Sequence, residues 1–310
     1  MKIQIVNPLS HERDLHLVSR KNRVGVVVLL AVFLCGFAAS ASAQWTQVTS
    51  PTAMSGIQVG TTQMWTRDSS GNVYQYNKKT NSLTKITAPT SFAQIAVGKG
   101  NNVWTLDSSQ NVYSYNFSTK KFVQVTGQLF QIAAGGQGVW GVSKSGHIYM
   151  WNGTSFAQPP NEDESIDFTT VFVGSYEIGV WAFDSSNNTY LFNSDTGFFD
   201  QVGPGPKTQV AVGTAEVWSI NSSSQIYMYD IAAEQWVQVD PSEALGEIAA
   251  GTNANIWGLS SGQVYRYSTK KPKQFDLVEP QPPETSAVLR VSSAGTGVFV
   301  LSTSGQVYKY

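Results

Sequence analysis

Residues 122–151 read FVQVTGQLFQIAAGGQGVWGVSKSGHIYMW, and this stretch decides the fold. It holds four short runs, at 122–125, 132–135, 139–142 and 148–151, each rich in β-branched and aromatic residues, a composition that favours strands over helices. Moving outward, Val-Trp-small-apolar followed about nine residues later by apolar-Tyr-x-aromatic recurs along the chain. The tryptophan falls at Trp65, Trp104, Trp140, Trp181, Trp218 and Trp257, with Phe299 in its place in a seventh copy. The tyrosine falls at Tyr74, Tyr113, Tyr149, Tyr190, Tyr227, Tyr265 and Tyr308. A period of about 40 residues is the length of a four-stranded propeller blade.

Each copy opens on a run such as 57–60, Ile-Gln-Val-Gly, whose glycine suggests a tight backbone turn; the seventh copy has Ser292 there. Turns such as Asp68-Ser69-Ser70-Gly71, Asp107-Ser108-Ser109-Gln110 and Asp184-Ser185-Ser186-Asn187 separate the tryptophan and tyrosine runs. Asp opens such turns by accepting from backbone amides, and Gly or Asn supplies positive φ. Asn152-Gly153 is a strong hairpin signal. The ends complement each other: Trp45-Thr46-Gln47-Val48 is a fourth strand with no blade before it, and the last copy stops at Tyr310 one strand short. The expectation is an all-β, seven-bladed propeller of four-stranded antiparallel blades over 44–310, with the N-terminal strand completing the last blade. Such closure removes open sheet edges.

Residues 1–43 read as a signal peptide. A charged opening ending in Arg20-Lys21-Asn22-Arg23 leads into an apolar stretch, 24–39, and then Ala41-Ser42-Ala43, which predicts cleavage after Ala43 and secretion. That stretch is shorter than a spanning helix prefers, and an uncleaved anchor is the alternative. The leader takes with it Cys35, His11 and His16, so the mature chain holds one histidine, His147, and no disulfide. Fifteen Lys and Arg then face nineteen Asp and Glu with no basic stripe evident along the sequence, which argues against nucleic acid.

The large rings at fixed strand positions are what packing between blades requires. The second aromatic of each pair, at Tyr76, Tyr115, Trp151, Phe192, Tyr229 and Tyr267, shares a strand face with the first and is expected to be partly exposed. Chemistry is sparse. A zinc site of the usual composition and a Cys-His pair are excluded, and a triad would depend on His147 in a hairpin turn. No phosphate-cradling glycine loop is present. The acids recur in turns and do not form one singular pair, so no enzyme and no cofactor are expected. The acidic insertion 161–167 lacks calcium-loop spacing and reads as a solvated loop; the proline-rich 279–284 reads as a stiff connector.

The composite of Trp-x-x-Val, Ile-Ala-Val-Gly, Val-Trp-Gly-Val and Gly-x-Ile-Tyr-x-Tyr resembles the tectonin repeat, from Trp45 to Tyr310. The resemblance implies a sugar-binding propeller, some relatives recognising O-methylated glycans. The arginine common between the two aromatics of that repeat appears here only as Arg266, with Lys309 as a relative. The expected function is therefore a secreted, monomeric, multivalent lectin for glycans or glycoconjugates, with sites between neighbouring blades. Its expected ligand residues are Asp68, Asp107, Asp184 and Asn221, with Tyr76, Tyr115, Trp151, Tyr229, Tyr267 and Arg266. The alternative is a propeller scaffold that binds a protein partner without sugar.

Overall fold

In the computed structural model the described residues are 45–204, 209–251, 255–268, 270, 274–283, 287–291 and 297–310, with the side chains of 203, 204 and 287–291 excepted. The expected leader and Gln44 lie outside them. Among the described residues, twenty-eight short strands form seven four-stranded antiparallel sheets. Six sheets are consecutive meanders: blade 1 over 54–86, blade 2 over 92–128, blade 3 over 131–157, blade 4 over 168–204, blade 5 over 209–239 and blade 6 over 247–277. Blade 7 takes three strands from 287–309 and its outermost from Thr46–Gln47, paired with Lys309 and Tyr308. Trp45 anchors this closure. It is 6% exposed, its ring centroid lies 5.0 Å from that of Tyr310, and its indole N–H donates to the Pro280 carbonyl at 3.0 Å. The proline-rich segment thus supplies an acceptor for the closing strand.

The tryptophans fill the spaces between blades. Trp65, Trp181, Trp218 and Trp257 are at most 1% exposed, and burying a ring of this size stabilises the fold by roughly 1.5–3 kcal/mol. Their indole N–H groups are satisfied two or three residues earlier, as in Trp65 to Gln63 Oε1 at 3.0 Å and Trp257 to Asn255 Oδ1 at 2.8 Å. The small residue after each tryptophan has a packing cause: a Cβ on Gly141 would meet Leu129 Cδ1 at 2.5 Å, and one on Gly258 would meet Leu245 Cδ1 at 2.4 Å.

The innermost strands surround a channel lined by Val59, Val97, Ala134, Val173, Val212 and Ala250. The glycines that follow them do something other than the tight turn their position suggested. Their φ angles lie outside the left-handed region, and a Cβ on Gly60 would stand 2.5 Å from the Gly98 carbonyl oxygen, one on Gly213 2.7 Å from that of Gly251. The requirement is close approach of neighbouring backbones around the channel. Ser292, the exception in the seventh copy, lies outside the described residues.

The acidic insertion is exposed at Asn161, Asp163, Glu164, Ser165 and Asp167, as a solvated loop is, and is anchored at Glu162. The Glu162 side chain is 3% exposed and its Oε1 accepts the Ile148 N–H at 2.6 Å. Blade 3 has an outermost strand of only two residues, Phe156–Ala157, so the carboxylate supplies an acceptor beyond the short ladder. Gln281 serves Val264 of blade 6 in the same way, accepting its N–H at 2.7 Å.

Candidate functional site

The turn residues come first because the repeat places a polar residue there in every blade, an aspartate in blades 1, 2 and 4. Asp68 accepts through Oδ1 from the Ser70 and Asn72 amides, both at 2.9 Å, and through Oδ2 from Asn72 Nδ2 at 2.8 Å and the Tyr74 hydroxyl at 2.9 Å. Asp107 and Asp184 repeat this set with Asn111 and Tyr113, and with Asn188 and Tyr190. Asn221 keeps the two amide bonds and donates its Nδ2 to Gln225 Oε1 at 2.7 Å. All four are buried, at 6–8% exposed. Burial opposes the charge of each aspartate, and the asparagine, tyrosine and backbone donors outweigh it, holding all three carboxyls below their ordinary range. Burial, then the neighbouring carboxylate, pushes Tyr74, Tyr113 and Tyr190 up.

These turns couple blades. The residue at positive φ directs its carbonyl to the start of the next copy: Gly71 accepts from Phe92 N at 2.9 Å at the head of the first strand, and Gln110 from Leu129 N at 3.0 Å and Ser224 from Leu245 N at 3.1 Å in the connectors just before theirs. A second coupling escaped the sequence reading. Gln131 of blade 3 accepts Val171 N at 3.1 Å and donates to Val171 O at 3.0 Å, and Gln94 and Gln209 accept from Ile132 and Ile248. The signal was available as a glutamine just before the Ile or Val of the first run at Gln94, Gln131 and Gln209. Gly56 holds that position in blade 1, where a cleft of about 340 Å³ opens beside Arg67.

The second aromatics lie toward the other end of the third strand of each blade and pack on the tryptophan of the preceding blade. Tyr115 meets Trp65 at 4.9 Å between centroids, Trp151 meets Trp104 at 5.0 Å, Tyr229 meets Trp181 at 4.8 Å and Tyr267 meets Trp218 at 4.9 Å. Tyr76 meets Phe299 at 5.1 Å, which keeps the pattern where the tryptophan is replaced. The expected partial exposure holds for Tyr76, Trp151, Phe192 and Tyr267; Tyr115 and Tyr229 are buried. Arg266 is exposed, with its guanidinium carbon 5.5 Å from the ring centroid of Trp257 on its own blade. The structure therefore brings each second aromatic to a blade boundary but not to the turn acids.

At one boundary the aromatics border open space. A cleft of about 600 Å³ between blades 1 and 2 is lined by Tyr115 and Phe117, with Gln75, Asn77 and Thr84 among its polar groups and Lys78, Lys85 and Lys120 around it; Tyr76 lies at its edge with its ring turned to Phe299 of blade 7. The Tyr76 hydroxyl donates to Asn81 Oδ1 at 3.0 Å, fixing the ring at the C-terminal end of its strand.

A ring of seven meander blades with aromatic boundaries and a strand-swapped closure is a repeat β-propeller. The Tectonin domain family matches residues 91–170 and 167–310, and the chain belongs to that family. Blade 1 lies outside the two matched stretches. No curated protein sequence matches the chain. Among solved structures it is similar to the Cps50 (Swd1) β-propeller domain of Myceliophteria thermophila, with a TM-score of 0.64, 8% identity, and 86% of this chain and 99% of that one covered. It is also similar to YCF48 from Cyanidioschyzon merolae (0.62, 15%, 86% and 98%) and to human WBSCR16 (0.62, 10%, 84% and 87%). At these identities the likeness concerns the fold.

Proposed function

We propose that this tectonin propeller is a secreted, non-enzymatic lectin that binds glycans at a blade boundary. The observation that carries the reading is the cleft between blades 1 and 2, where the half-buried Phe117 and the edge of Tyr115 stand beside Gln75, Asn77 and Thr84. Aromatic faces suit the C–H face of a sugar ring, and amide and hydroxyl side chains suit its hydroxyls. A concave site with a few convergent polar groups is the ordinary form of a small-ligand site. The reading keeps the interblade location and the aromatic half of the site expected from the repeat. The aromatic pair recurs at every boundary, so further sites at the half-buried Trp151 and Tyr267 would add avidity without new contacts.

Glycan-array binding by the mature protein, including methylated and acetylated sugars, tests this reading. Phe117→Ala should weaken any signal about tenfold or more while leaving the fold intact, since this ring is half-buried. Binding to no sugar would overturn it. Secretion is tested by mass spectrometry of exported protein, with a mature N-terminus at Gln44 as the expected result. A scaffold role is the second reading; its support is Tyr176, 83% exposed beside the channel.

A further inference from the structure

Charge is divided around the ring in a way the whole-chain total hides. Residues 45–130, blades 1 and 2, carry seven Lys and Arg against two carboxylates, Asp68 and Asp107, both buried and bonded into their turns. Residues 131–239, blades 3 to 5, carry eleven Asp and Glu against Lys144 and Lys207. The loops that follow the first and third strands of a blade share one face of the ring. On that face, blades 1 and 2 present Lys78, Lys79, Lys99, Lys120 and Lys121, all exposed, whereas blades 4 and 5 present Glu177, Asp195, Glu216, Asp230 and Glu234.

The cleft between blades 1 and 2 opens in the basic sector. Lys78, Lys85 and Lys120 line it, and among the described residues none of the three is paired with a carboxylate. Lys309 Nζ stands 5.8 Å from the Tyr76 ring centroid at the neighbouring boundary with blade 7, within cation–π range, and adds a cation to the same sector. Burial, then the charge of Lys78, holds the Lys309 ammonium below its ordinary pKa, as expected where cations gather without counter-charge. Unneutralised cations around a concave site concentrate anions there, and the acidic sector of the same face repels them elsewhere.

We infer that the cleft between blades 1 and 2 takes an acidic oligosaccharide, with Phe117 and the edge of Tyr115 against the sugar rings and Lys78, Lys85 and Lys120 around its carboxylate or sulfate groups. The inference rests on the lectin reading and assigns its ligand class. It also assigns an orientation: a long polyanion lies across blades 1 and 2 and is kept off blades 4 and 5.

The test uses the full mature protein and five probes: a galacturonic acid trimer, its fully methyl-esterified form, a sulfated galactose trimer, the unsulfated galactose trimer, and vesicles containing anionic phosphatidylglycerol. At least one acidic trimer should bind about tenfold or more tightly than its neutral counterpart and weaken as salt is raised. Comparing the two acidic trimers identifies which anion is read. The triple variant Lys78→Gln, Lys85→Gln, Lys120→Gln should lose that preference and its salt dependence while still binding the neutral trimers. Equal binding of acidic and neutral trimers would overturn the acidic assignment and leave the lectin reading standing. Binding to the vesicles with no binding to any trimer would overturn both.

Discussion

Blades 1 and 2 and blades 4 and 5 are built on the same parts and face solvent with opposite charge. Asp107 and Asp184 hold their turns with the same four donors, and Tyr115 on Trp65 and Tyr229 on Trp181 pack at 4.9 and 4.8 Å with similar tilts. Their loops differ: lysines on one side of the ring, aspartates and glutamates on the other. What every copy repeats serves the ring, because each boundary must be filled and each blade tied to the next. What distinguishes one sector from another is free to serve a ligand.

The sharpest way to break this comparison is to treat the repeated residues as equivalent and measure them. Trp65→Ala and Trp181→Ala remove rings that are at most 1% exposed and should each cost about 3–5 kcal/mol in urea unfolding. Unequal losses would mean that the sectors differ in their cores as well as their surfaces. Smaller effects are expected at the turns. Asp107→Ala and Asp184→Ala strip the acceptor from two amides, an asparagine and a tyrosine, and should each cost about 1–3 kcal/mol. Asn in place of either Asp should cost less, since Asn221 already keeps the two amide bonds in blade 5.

The same turns fix the acid side of the stability profile. Their carboxyls are held low in the folded ring, so the stabilisation is complete above the unfolded carboxylate value of about 4 and is lost as pH falls through the lower folded value. Comparing urea midpoints at pH 7 and pH 3 should show a drop in the wild type that is smaller in the Asp107→Ala, Asp184→Ala double variant. An unchanged drop would place acid sensitivity elsewhere.

The fold was legible because period, turn chemistry and complementary ends are written locally: Tyr every 36 to 43 residues, Asp, Asn or Ser opening each turn, and a spare strand at 45–48 for the blade that lacks one. The candidate site was half legible for a physical reason. Asp68 and Tyr76 recur together in sequence, and alternation put Tyr74 and Tyr76 on one strand face, yet only the structure shows Asp68 closed by Tyr74 at one end while Tyr76 packs on Phe299 of blade 7 at the other. The lysines around that cleft come from separate hairpins, Lys78 and Lys120, and from the strand bearing Lys85, so no motif announces them. Gly56 and Gln94 show the same limit: a glutamine reaching the next blade, and its absence one blade earlier, matter only once the blades are neighbours.

The finest test concerns a buried acid among blades 3 to 5 that the comparison does not cover. Glu162 belongs by sequence to the acidic sector but lies inward, with Ile148 N at 2.6 Å and His147 Nδ1 at 3.8 Å. Burial pushes its carboxyl up, partly offset by the Ile148 amide and by His147. A folded value raised above the unfolded one contributes stability that is complete below the unfolded value of about 4.3 and is lost as pH rises through the folded value. Glu162→Gln keeps an oxygen for Ile148 and removes the charge, so it should stay within about 0.5 kcal/mol of wild type at pH 4 and gain on it at pH 8. Glu162→Ala removes the acceptor and should lose about 1 kcal/mol at both pH values. Urea midpoints of the three proteins decide the matter. A Gln variant less stable than wild type at pH 8 would mean that the His147 pairing outweighs burial, and that this acid is held for its charge.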